Sequence, residues 1–162
     1  MTKIAALLEQ GPTYSYEFSP PRDKEGVVAL EAAIDALAQT EPDFTSITYG
    51  ALGNTRSMTR NVALAQNARH EFPMMAHLTT VGQSRSEIVE LVDAYTEGGL
   101  ENILALRGDG DVSGDFAHAI DLAQFIKERD ASISIGVAAH PEVHPSSPTR
   151  QEDRQRLAAK LE

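Results

Sequence analysis

The sequence predicts a parallel α/β fold of the (β/α)8 barrel type, of which about five βα units are present. Three observations carry that expectation. Short β-rich runs alternate with stretches of helical period along the chain, polar side chains stand at or just past the carboxyl end of the strands, and no Gly-x-Gly-x-x-Gly follows the first strand. An open doubly wound sheet gathers its site at one topological switch, whereas a barrel collects one or two groups from every strand. Here Glu17, Thr48, His77, Arg107 with Asp109, and His140 come from different strands, which favours the barrel.

Met1 to Gln10 forms a short amphipathic piece ended by Gly11-Pro12, and Tyr14 to Phe18 is a β-rich run closed by Pro20-Pro21. Val27, Leu30, Ile34 and Leu37 recur at helical spacing within Asp23 to Thr40, until Pro42 interrupts. Phe44 to Tyr49 gives a second strand stopped by Gly50, and Asn54 to His70 is polar but helix-compatible. Met74 to Leu78 is a short apolar run that reads as strand or loop on its own evidence. The next helix has the clearest signals: Ser84 with Glu87 makes a capping-box pattern, Ile88, Leu91, Val92 and Tyr95 a buried face, and Gly98-Gly99 a stop. Asn102 to Leu106 is an apolar strand, followed by a Gly/Asp-rich loop from Arg107 to Asp115. Phe116 to Arg129 is helical by spacing, Ile133 to Ala139 is a fifth strand, and Ser147 as N-cap with Pro148 at the first position starts a last helix.

No linker or low-complexity segment divides the 162 residues, so a single domain over 1–162 is expected. With 24 acidic against 14 basic side chains the formal charge is −10, which argues against nucleic acid or an anionic membrane as partner. There is no cysteine, which excludes disulfides, thiolate metal sites and a cysteine nucleophile. Neither a basic start leading into an apolar stretch nor a long uncharged apolar run is present, so a cytoplasmic protein is expected.

Glu17 stands between Tyr16 and Phe18, where a carboxylate is costly unless paired or protonated. One reading is a general acid held neutral by apolar surroundings; the other is a solvent-facing strand residue. Pro20-Pro21, which stiffen the loop behind it, favour the first. The Arg107 to Asp115 loop lacks Glu at the twelfth position of a calcium loop, and its carboxylates would repel a phosphate. Asp109 at a strand mouth instead suits stabilisation of positive charge, with Arg107 as an anion contact, against the alternative of a solvated acidic turn. His140 and His144 are four apart, but Pro141 and Pro145 oppose a helix, so two loop contacts to a ligand are expected in place of a metal site.

Taken together, Tyr16-Glu17-Phe18-Ser19-Pro20-Pro21-Arg22, Ile47-Thr48-Tyr49-Gly50, Ala76-His77-Leu78-Thr79, Leu104-Ala105-Leu106-Arg107-Gly108-Asp109 and Pro141-Glu142-Val143-His144-Pro145 resemble, in order and spacing, the 5,10-methylenetetrahydrofolate reductase family. The resemblance implies a (β/α)8 barrel that reduces 5,10-methylenetetrahydrofolate to 5-methyltetrahydrofolate with NADH or NADPH, usually through FAD, and so feeds methionine synthesis. It implies that Glu17 is the general acid that protonates the folate, opening its five-membered ring to a 5-iminium cation that accepts hydride. Asp109 then corresponds to the carboxylate that supports that cation and tunes the flavin. Thr48, His77, Arg107, His144, Asp153 and Lys160 fall at positions that hold FAD in flavin-bearing relatives.

Two departures shape what is expected. His118 and His140 stand where flavin-bearing relatives commonly carry Tyr, which raises a flavin-free variant that passes hydride directly from NAD(P)H. Five parallel units also cannot close a barrel and leave two unpaired edges, so a fragment, or a half-barrel completed by a partner chain, is expected. Two rival readings accompany the reductase: a non-catalytic half-barrel serving as an interaction module, and another flavin-dependent barrel oxidoreductase with a different substrate.

Overall fold

The computed structural model describes residues 2–49, 56–109, 114–144 and 147–161. Its elements run α1 (Ile4–Gln10), β1 (Ser15–Phe18), α2 (Lys24–Ala38), β2 (Phe44–Ile47), α3 (Arg56–Arg69), β3 (Met74–Thr79), α4 (Arg85–Glu97), β4 (Asn102–Leu106), α5 (Ala119–Arg129), β5 (Ser134–Val137) and α6 (Arg150–Leu161). All strand pairs are parallel, and the five strands lie in the order β1-β2-β3-β4-β5. Unidirectional winding of this kind builds barrels; a doubly wound sheet would reverse its strand order.

The register explains which side chains go where. One row across the sheet reads Phe18, Ile47, Ala76, Ile103, Ile135, apolar throughout. Ile47, Ala76 and Ile103 in that row are completely buried, as are Leu78 and Ala105 on the same face, and they pack with Val62, Ile88, Tyr95, Leu122 and Ile126 from the helices. The neighbouring row, Glu17, Ser46, Met75, Asn102, Ser134, carries four polar residues and points to the opposite face, since side chains alternate along a strand. Helices thus cover one face, and the other, which holds Glu17 and His77, is only partly covered.

The loops at the carboxyl ends of β3 and β4 are laced together. Thr80 N–H donates to the carbonyls of Leu106 and Arg107, Val81 N–H and the Thr80 hydroxyl donate to Arg107 O, and Asp115 N–H donates to Gln83 O. Gly108 has a left-handed φ of 86°, and a Cβ there would meet Thr79 Cβ at 2.9 Å, so glycine is required twice over. At the other end of the sheet, Asn102 Oδ1 accepts from Ile4 N–H at 2.8 Å and its amide donates to Thr2 O at 3.4 Å, pinning α1 beneath β4.

Several boundaries differ from expectation. Met74 to Leu78 proves to be strand, paired with β2 over Met74 to Ala76 and with β4 over Met75 to Thr79, which extends it to Thr79. α5 starts at Ala119, not Phe116, because His118 is its N-cap and donates its N–H to the Asp121 carboxylate at 2.8 Å. α6 starts at Arg150: the Thr149 hydroxyl accepts from Glu152 N–H, while Ser147 turns to Asp153, so Ser147 and Pro148 are not the cap and first residue. The start of α3 expected at Asn54, and the Gly50 stop, lie outside the described residues.

Candidate functional site

The partly covered face brings Glu17 and His77 together. β1 positions Glu17, and β3, two strands away, carries His77, whose Nε2 lies 3.3 Å from Glu17 Oε2. Between them on β2 stands Ser46, in register with Glu17, whose Oγ donates to the same Oε2 at 3.3 Å. His77 is nearly enclosed, with 8% of its side chain exposed, and its Nε2 is buried without an aligned hydrogen-bond partner, the Glu17 oxygen being close but off-angle. Burial pushes the imidazole pKa down, and the Glu17 carboxylate offsets part of that shift.

Glu17 does not have the apolar surroundings its sequence neighbours suggest. Tyr16 and Phe18 point to the opposite face, β1 is an edge strand, and 58% of the Glu17 side chain is exposed. The carboxylate therefore faces largely solvent within this chain, not an apolar pocket. Ser46 was not singled out from the sequence, although Thr48, two residues on, was; alternation puts both on one face, and that period is the signal that finds Ser46.

Thr48 follows β2, half-buried, with its N–H on Phe18 O at 2.8 Å. Arg107 and Asp109 are exposed just past β4, in the loop that Thr80 and Val81 hold. A third group assembles where β5 turns into α6. The His140 and His144 rings meet edge to face at 4.6 Å, Asp153 accepts from Ser147 Oγ at 2.7 Å, and Lys160 Nζ donates to Ala138 O at 3.3 Å. The Ser147 hydroxyl, then the His144 N–H and the two imidazoles, draw the Asp153 pKa down. His118 sits apart from that pair as the α5 cap, exposed on the same rim. Gly110 to Ser113 and Pro145 lie outside the described residues.

A sequentially wound parallel sheet with a carboxylate, a buried imidazole and further polar groups in or just past successive strands defines an α/β protein built as part of a (β/α) barrel, with its candidate site toward the carboxyl end of the strands. A family model described as methylenetetrahydrofolate reductase matches residues 2–162, and the chain belongs to that family. It is 36% identical over 164 residues to a 5,10-methylenetetrahydrofolate reductase of Pectobacterium carotovorum, covering 100% of this chain and 55% of that protein. A Salmonella typhimurium protein of the same name is 36% identical over 151 residues, 91% of this chain and 50% of its own length. Methylenetetrahydrofolate reductase (NADH) 1 of Arabidopsis thaliana is 35% identical over 153 residues, 88% of this chain and 26% of its own. The chain thus spans about half the length of the bacterial relatives it matches. Among the described residues no helix is long and apolar enough to cross a membrane.

Proposed function

We propose that this chain is the acid-bearing amino-terminal part of a cytoplasmic enzyme that reduces 5,10-methylenetetrahydrofolate to 5-methyltetrahydrofolate with NADH or NADPH, supplying methyl groups for methionine synthesis. The observation that carries the reading is the Glu17 carboxyl on the partly covered face, with Ser46 and His77 at its Oε2, within the Tyr16 to Arg22 segment. Glu17 gives its proton to the folate, and ring opening leaves the 5-iminium cation that accepts hydride. The Asp109 carboxylate, at the mouth of β4, offsets the positive charge as it appears. Folate bound over the sheet also supplies the desolvation that the exposed Glu17 side chain lacks.

FAD, when bound, carries hydride from the nicotinamide to the folate. The residues fit such a group: His77 Nε2 is buried and lacks an aligned partner, and Thr48, Arg107, Asp109, His140, His144, Asp153 and Lys160 follow strands on the same rim. Arg107 and Lys160 bring positive charge to a dinucleotide pyrophosphate, and Thr48 and His77 bring hydrogen-bonding groups to its ring end. His118 and His140 replace aromatic contacts with imidazoles.

The test is NADH oxidation dependent on methylenetetrahydrofolate, with the absorption spectrum of the purified protein recorded first. The proposal expects turnover that collapses in Glu17→Gln. Stoichiometric flavin in the spectrum supports the FAD route, and turnover without flavin supports direct transfer from NAD(P)H. A folded protein that carries this chain together with the rest of its barrel, and that neither binds folate nor turns over, refutes the reading and leaves the interaction module.

A further inference from the structure

A glutamate on an edge strand with 58% of its side chain exposed has many rotamers open to it, yet a general acid must present its proton in one direction. The contacts of Glu17 are one-sided. Ser46, 4% exposed and in register with it, donates Oγ–H to Oε2, and His77 Nε2 stands 3.3 Å from that same oxygen. Among the described residues no hydrogen bond reaches Oε1. The Ser46 hydroxyl reaches Glu17 because the register sets the two residues side by side on adjacent strands with their side chains on one face.

Building on the reading of Glu17 as the acid, we infer that Ser46 is a positioning residue: it holds the carboxyl through Oε2, so that the proton given to the substrate resides on Oε1. When the acid acts, the Oε1–H bond breaks, a bond from that hydrogen to the substrate nitrogen forms, and the carboxylate charge spreads over both oxygens. Ser46 Oγ–H then stabilises the charge at Oε2, and His77 is the titratable group beside it. No oxidation state changes in this step, and Glu17 is exposed enough to recover its proton from water once product leaves.

The test follows the Glu17 carboxyl-carbon resonance by NMR at one fixed pH in the full chain labelled at glutamate, assigned by its loss in Glu17→Gln, in wild type, Ser46→Ala and Ser46→Thr. Ser46→Ala should displace that resonance, because the carboxyl loses its donor at Oε2, and Ser46→Thr should return it toward the wild-type position. Folate turnover of Ser46→Ala should fall in kcat with little change in KM, because the contact orients the acid and does not bind substrate. A Ser46→Ala resonance at the wild-type position, or a Ser46→Thr resonance that stays with Ser46→Ala, overturns the inference. The resonance reads Ser46 even in a chain without turnover, so failure of the reductase reading is seen separately, in the wild-type assay.

Discussion

Gly108→Ala is the substitution for which the structure gives the sharpest expectation. The residue has φ 86°, where a Cβ costs about 1 kcal/mol, and the new methyl carbon would lie 2.9 Å from Thr79 Cβ and 3.3 Å from Val81 Cγ2. Thr79 Cβ is fixed to the backbone of β3, and the loop cannot retreat without breaking the bonds from Thr80 and Val81 to Arg107 O. Overpacking of that kind adds about 2 kcal/mol, for a total of about 3 kcal/mol. In a domain of this size each kcal/mol lowers Tm by about 2 to 4 °C, so circular dichroism should show a loss of about 6 to 12 °C. Gly99→Ala is the control: its φ is 72° but nothing lies within 4 Å of the added carbon, so only the backbone cost of about 1 kcal/mol remains. Equal Tm losses in the two variants would refute the close approach of Thr79 as the reason for glycine.

Asn102→Ala, at a side chain 2% exposed, strands Ile4 N–H and Thr2 O and should cost about 1 to 3 kcal/mol, with faster hydrogen exchange at the Ile4 amide; unchanged protection there would show that α1 is held by something else. The Arg85 guanidinium carbon lies 5.0 Å from the Phe116 ring centroid and 4.5 Å from that of Phe125, so Arg85→Ala should lower urea stability by about 1 kcal/mol, and a midpoint matching wild type would rule the stacking out. Because burial lowers the folded-state pKa of His77 below its unfolded value of 6.5, its contribution is fully present above pH 6.5 and is lost as pH falls through the lower folded value. Tm measured at pH 7.5 and 5.5 should therefore drop less in His77→Asn than in wild type, and equal drops would contradict that linkage.

Strand and helix order was legible because each βα unit carries its own period and its own punctuation. β3 was not, since Met74-Met75-Ala76 gives a short apolar run no period; its identity comes from pairing with β2 and β4, a tertiary fact. The α6 cap was missed although Thr149 and Glu152 stand at capping-box spacing, because Ser147-Pro148 offers a competing signal two residues earlier. At the site, His77 and Glu17 could each be named as polar groups in strands, but their meeting depends on β1 and β3 flanking β2, which no local pattern encodes. The same ignorance of edge position made Glu17 look buried: Tyr16 and Phe18 surround it in sequence and face away from it in space.

The sequential strand order also governs how the chain can assemble. Each strand pairs with its immediate predecessor, so every step of sheet growth closes a loop only one βα unit long. A ribosome delivering the chain from its amino end presents the units in the order in which they pair. The exception is the contact of Asn102 with Ile4 and Thr2, 98 and 100 residues back, which no partial product can make before β4 emerges. Docking of α1 is thereby a late event in folding, and its amide protection marks a sheet that has grown at least four strands wide.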